Sequence, residues 1–179
     1  MLVGVQVFHL VDPVQKHVQQ AEEVAQGNCD YPLASIQRGD ARALSHGDGS
    51  TDSALLLGPL YHLTEREGRM KALSEAYRVL RSEGYVFVAG INRFASLLDG
   101  IVEGDMHDRY FREIIDADLS TGQHRNPRNQ PDYFRTAFFH RPEELEREVS
   151  EAGFNIEAVL AVEGPVWLAR NFEDRWSDV

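Results

Sequence analysis

Short apolar runs alternate along this chain with stretches whose apolar residues recur at helical spacing. Val3 to Leu10 is almost continuously apolar, which predicts a strand covered on both faces. Asp12-Pro13 follows, a helix cap with proline at the first helical position. Val14, Val18, Ala21 and Ala25 then share one helical face, and Gly27 supplies a stop. Leu33 to Arg38 predicts a second strand, ending at Gly39-Asp40, and Ala54 to Leu57 a third, which breaks at Gly58-Pro59. Met70, Leu73, Ala76, Tyr77 and Leu80 mark the buried face of a helix that ends at Gly84, ahead of a fourth strand over Tyr85 to Ala89. Pro142 opens another helix, with Leu145, Val149 and Ala152 inward and Gly153 as its stop. Asn155 to Val162 predicts a fifth strand, and a loop-like tail follows from Gly164.

This alternation is that of an α/β domain with a mostly parallel sheet and helices on both faces. From Phe94 to about Thr136 the periodicity weakens, while aromatic, histidine and arginine residues accumulate. That is too long for a connection, where roughly 2 to 6 residues is usual. Residues 94–136 therefore read as an insertion, partly helical around Arg109 to Ile115, of the kind that caps a substrate. With 179 residues and no internal repeat, the chain is expected to form one domain over 1–179.

Composition narrows the function classes. Basic residues number 18 against 29 acidic ones, a net charge of −11 with histidines neutral. A field of that sign disfavours nucleic acid and anionic lipid as partners. A single cysteine, Cys29, excludes an intramolecular disulfide and fits a cytoplasmic location. No run approaches the roughly 18 to 20 apolar residues that span a bilayer, so no membrane partner is expected.

The candidate chemistry lies at strand ends, where open α/β sheets bind ligands. Asp12 offers two acceptor oxygens that match the two hydroxyls of a ribose; equally, it caps the helix that follows. Asp40 could accept from an adenine amino group, with the backbone at Ala41 meeting a ring nitrogen, or Gly39-Asp40 is simply a turn. Gly58 permits close approach of backbone to a ligand, and Pro59 holds an extended turn. Tyr61 and His62 follow at the mouth of the sheet. His62 is a candidate general base, since an unperturbed imidazole titrates near neutrality, or a structural histidine.

The strings HLVDP, RGDARAL, LLLGPLYHL and EAYRVLRSEGYVFVAGINR, in that order and spacing, resemble the motifs of class I S-adenosylmethionine-dependent methyltransferases, small-molecule type. The resemblance runs from about Val3 to Val162. It implies a Rossmann-like methyltransferase sheet with a lid insertion, S-adenosyl-L-methionine as cofactor, no metal, and a small organic methyl acceptor. Asp12 would hold the ribose hydroxyls, and Asp40 and Ala41 the adenine. Gly58, Pro59 and Leu60 would line the methionine end, with the catalytic candidates Tyr61 and His62 bordering the acceptor. In the insertion, His124, Arg125, Tyr133 and Phe134 are candidates for substrate binding, or a small aromatic cluster on a solvated loop.

The family's first strand and glycine-rich turn have no counterpart ahead of Val3, and its last antiparallel strand has none after Trp167. A sheet without its first strand exposes two edges, so a homo-oligomer is expected. Two other functions fit this departure. One is a truncated, non-catalytic homologue that serves as a binding or assembly module. The other is a nicotinamide-dependent oxidoreductase, since an acid after the second strand suits that ribose too.

Overall fold

Strand β1 (Phe8–Asp12) opens the described chain and runs into helix α1 (Gln15–Gly27) through the Asp12-Pro13 junction. The structure, a computed structural model, describes residues 7–27, 33–131 and 133–162. Asp12 Oδ1 accepts from the Val14 N–H at 2.7 Å in a turn ahead of the helix, but the first helical hydrogen bonds are accepted by the Val14 carbonyl, so α1 starts two residues after the expected cap. Val18 is buried on the inner face of α1, with Ala21 and Ala25 half-buried, whereas Val14 at the helix start is exposed. Strand β2 (Leu33–Arg38) lies parallel to β1, with Asp12 opposite Arg38. β3 (Thr51–Leu56) pairs with β4 (Leu80–Val88), and helix α3 (Arg66–Val79) lies between them in sequence.

Two compact units divide these elements. The first comprises residues 1–54 and 71–86, and the second residues 55–70 and 87–179. In the first, Leu73, Ala76 and Leu80 are buried as the helical spacing predicts, Val79 is buried outside that spacing, and Tyr77 is exposed. The fourth strand begins at Leu80 rather than Tyr85, because the chain turns directly out of α3. Glu83 takes a left-handed φ of 63° inside that strand. Gly84 follows where a Cβ would meet the Arg81 and Asp52 carbonyls at 3.0 Å, so this glycine shapes a strand rather than stopping a helix.

The second unit holds the one-turn helix α2 (Pro59–His62), β5 (Ile91–Asn92), α4 (Ala95–Glu103), α5 (Arg109–Thr121), β6 (Gln123–His124), β7 (Ala137–His140) and α6 (Pro142–Glu151). β7 is central in its sheet, parallel to β5 and antiparallel to β6. All four of its residues are buried. Two helices of the 94–136 segment, α4 and α5, pack on each other, so that segment is more helical than its periodicity suggests. Asn155 to Val162, expected as a strand, forms none. Its apolar residues Val159, Leu160 and Val162 stand exposed, without the pairing that would have covered a strand. The tail from Gly164 and the start of the first predicted strand lie outside the described residues. The α/β alternation is present, with the described strands grouped in three small sheets. No helix of the described residues is long and apolar enough to cross a membrane.

Two buried arginines dock α6. Arg69, 2% exposed, meets the Glu148 carboxylate through Nε at 2.9 Å and a terminal nitrogen at 2.7 Å. Its other terminal nitrogen donates to the Leu63 and Thr64 carbonyls at 3.0 and 2.8 Å, and its guanidinium lies 3.7 Å over the Phe138 ring. Arg93 pairs with Glu144 one helical turn earlier and donates to the Phe139 carbonyl. Burial raises the Glu148 carboxyl, but hydrogen bonds from His140 and Arg69, with the attraction of their charges, outweigh it and hold the carboxyl at about 2.

A carboxyl depressed in the folded state adds stability above its unfolded pKa and loses it as the pH falls through the folded one. The Glu148 contribution is therefore complete above about 4.5 and disappears toward about 2. Urea unfolding of Glu148→Gln should show a loss on the order of 3–5 kcal/mol at pH 7, because Arg69 is left buried and unpaired. The difference from the parent should shrink as the pH falls from 4.5 toward 2.

Candidate functional site

In the first unit, the ends of β1 and β2 bring the two predicted acids to one edge. The Gly39 N–H donates to the Asp12 carbonyl at 3.1 Å, and a Cβ at Gly39 would sit 2.7 Å from Val11 Cγ1. Glycine is thus required for β2 to lie this close to β1. The Asp12 carboxylate, besides accepting from the Val14 N–H, faces His17 Nδ1 with both oxygens, at 3.2 Å from Oδ1 and 3.3 Å from Oδ2. It keeps acceptor capacity beyond these contacts, since a carboxylate has about four lone-pair sites. Arg38 reaches across to donate to the Pro13 carbonyl at 3.1 Å.

Asp40 is more fully engaged. Arg42 donates to its carboxylate from Nε at 2.9 Å, from a terminal nitrogen at 2.6 Å and from the backbone N–H at 2.9 Å. Those hydrogen bonds hold the Asp40 carboxyl at about 2. The turn through Ala41 leads to a loop held by α3. Arg78 donates to the Leu44 and His46 carbonyls and to Asp48, while Glu75 accepts from the Leu44 N–H at 2.7 Å. Arg42, Glu75 and Arg78 were not among the sequence candidates. An arginine two residues after an aspartate in a turn is the signal that could have identified Arg42.

In the second unit, Gly58 precedes α2 at φ −138°, outside the left-handed region. A Cβ here would find only Tyr61 Oη at 3.7 Å and His62 Cδ2 at 4.0 Å, which are ordinary contacts. The protein itself does not demand glycine at this position. Leu60 is fully buried, so only its backbone can face a ligand. The Tyr61 hydroxyl donates to the Leu57 carbonyl at 2.8 Å, which turns its ring back over the strand end. His62 is exposed, and its ring nitrogens make no hydrogen bond among the described residues.

Four of the predicted side chains form a continuous aromatic row. The rings of Tyr61 and His62 are 4.7 Å apart, and His62 stacks on Phe134 at 6.4 Å with 18° between planes. Phe134 meets His124 edge-on at 5.9 Å, and His124 stacks on Phe139 at 4.7 Å. His124 itself is 1% exposed, with Nε2 3.0 Å from the Phe134 carbonyl and Nδ1 2.9 Å from Asp118 Oδ2. Tyr133 donates instead to Asp108, the N-cap of α5, at 2.7 Å. Arg125 is exposed and donates to Gln123 at 2.9 Å, away from the row. Asp118, Ser96, Asn126 and Phe139 build this region and carried no sequence signal, being polar or aromatic residues in a stretch without periodicity. No group of histidine, cysteine, aspartate or glutamate among the described residues could hold a metal ion.

Residues 3–88 match the family model of a methyltransferase domain. An S-adenosylmethionine-dependent methyltransferase from Methanosarcina mazei superposes with a TM-score of 0.63 at 18% identity, over 85% of this chain and 71% of that one. A second such structure, from Thermotoga maritima and described as a possible histamine N-methyltransferase, gives 0.53 at 20% identity, over 87% of this chain and 67% of that one. The fold is that of the class I S-adenosylmethionine-dependent methyltransferases. No curated protein sequence matches the chain. The resemblance carried by the ordered motifs is thereby supported, and S-adenosylmethionine is the cofactor that the match and the methyltransferase fold indicate. The matched stretch takes in Asp12, Asp40 and the whole Gly58 to His62 turn.

If Arg42 is what depresses Asp40, Arg42→Ala should return that carboxyl toward its ordinary value near 3.8. A carbon-detected NMR titration of the side-chain carboxyl reads this directly. A midpoint that stays near 2 would mean another group holds it down.

Proposed function

We propose that this chain binds S-adenosylmethionine and transfers its methyl group to a small organic acceptor. The observation that carries the reading is the placement of Asp12 and Asp40 at the carboxyl ends of two adjacent parallel strands. In this reading Asp12 accepts from the ribose hydroxyls, with His17 moving aside from an exposed position. Asp40 and the backbone at Ala41 meet the adenine, and Arg42 yields part of its hold on that carboxylate. The role of Gly58, Pro59 and the Leu60 main chain at the methionine end rests on the motif resemblance alone.

The bound sulfonium supplies an electrophilic methyl group, so the protein's part is chiefly alignment and exclusion of water. Tyr61, His62 and Phe134 form an aromatic wall suited to a small organic molecule. His62, unengaged and exposed, can take a proton at a ring nitrogen from an acceptor that must lose one. A second reading, a non-catalytic binding module, draws its support from the Asp40–Arg42 clamp, which already occupies the adenine acceptor.

Calorimetry with S-adenosylhomocysteine separates the two. Binding is expected, weakened about tenfold or more by Asp12→Asn, as for a lost hydrogen bond to a charged group. Gly58→Ala should weaken binding while leaving the melting temperature unchanged, since its Cβ makes only ordinary contacts with the protein. Failure of the parent chain to bind would overturn the methyltransferase reading in favour of the module. Binding of NAD in its place would point to an oxidoreductase.

A further inference from the structure

The buried group around His124 serves no step in the mechanism above, yet it is an expensive arrangement. Asp118 and His124 are each 1% exposed, and Ser96 is buried beside them. Asp118 Oδ2 accepts from the Ser96 hydroxyl at 2.6 Å and faces His124 Nδ1 at 2.9 Å, while Asp118 Oδ1 has no partner among the described residues. A buried acid–histidine pair with one oxygen unpaired stabilises less than apolar packing of the same volume. Its use is then one of specifying position, and the object positioned is visible.

His124 Nε2 lies 3.0 Å from the Phe134 carbonyl, which can only accept, so Nε2 carries a proton directed at that oxygen. Phe134 belongs to no helix or strand, and its half-exposed ring stacks on His62. Sharp folding brings the parts together. Gly122, at φ 76°, ends α5 where a Cβ would meet the Phe139 carbonyl at 2.6 Å, and His124 follows two residues later. The turn carries His124 back onto Asp118, in the last turn of α5.

We infer that His124 is a positioning residue: anchored by Asp118, it holds the Phe134 backbone so that the Phe134 ring fixes His62 and the acceptor-side wall. The assignment of that wall to the acceptor rests on the proposed methyl transfer, whereas the anchoring does not.

Two substitutions divide the histidine's two contacts. His124→Asn places a side-chain amide where Nδ1 was, reaching Asp118 but not Phe134. His124→Gln places one where Nε2 was, reaching the Phe134 carbonyl. The readout is the His62 ring resonance of histidine-labelled, ligand-free protein, assigned by its loss in His62→Gln. Phe134→Leu, at a half-exposed position, gives the resonance expected without the stacked ring and keeps the fold.

His124→Asn should move the His62 resonance to the Phe134→Leu position, and His124→Gln should leave it at the parent position. Equal shifts in the Asn and Gln variants, or none in the Asn variant, would overturn the inference. A parent chain that fails to bind S-adenosylhomocysteine would remove the methyltransferase reading while leaving this ligand-free result intact. If the parent binds it, His124→Asn should bind it equally well. Loss of binding in that variant would overturn the acceptor-side assignment.

Discussion

The Arg69–Glu148 ion pair holds the second unit in register. One guanidinium, buried with its partner, spends its donors on three places at once: the carboxylate on α6 and the carbonyls of Leu63 and Thr64 that follow α2. The face of the same group lies on Phe138 in the central strand β7. Helix α6, strand β7 and the end of the Gly58–His62 turn are thus tied to a single charge that has nowhere else to go. A lysine in its place could not serve a carboxylate, two carbonyls and a ring together, because it lacks the planar fork.

The neighbouring side chains repeat this logic. Arg93 joins Glu144 to the backbone of β7, and Gln123 donates to the same Thr64 carbonyl at 3.0 Å. Around the candidate acceptor wall, then, the backbone is held by buried polar groups. The exposed members of the wall are aromatic rings, and the ring nitrogens of His62 make no hydrogen bond among the described residues. In the first unit the arrangement is reversed, with carboxylates displayed at strand ends and arginines beside them. Asp40 stays ionised under any ordinary condition because Arg42 holds its carboxyl so low, so it can only accept hydrogen bonds.

Much of this was legible in the amino-acid pattern. Asp12-Pro13 announces a strand end and a nearby helix, because proline and short polar side chains act locally, though α1 begins at Gln15. The Gly58-Pro59 break and the start of α6 at Pro142 are local in the same way. Strand β7 was not legible: Ala137 to His140 is four residues long and buried on both faces, so it shows no alternation. Asn155 to Val162 illustrates the opposite error. Its apolar content promises a strand, but a strand also needs a partner, and pairing is not written in composition. The polar network of Ser96, Asp118 and His124 was invisible for a related reason. Buried polar residues look like surface ones until the fold shows what surrounds them.

The proposed function depends on binding of the cofactor by the strand-end acids of the first unit, Asp12 and Asp40. Hydrogen–deuterium exchange of the whole chain, with and without S-adenosylhomocysteine, tests it in one measurement. Protection is expected in the backbone around Asp12 to Val14 and Gly39 to Arg42, with α5 and α6 unchanged. Saturating ligand that protects neither of these segments would contradict that proposal.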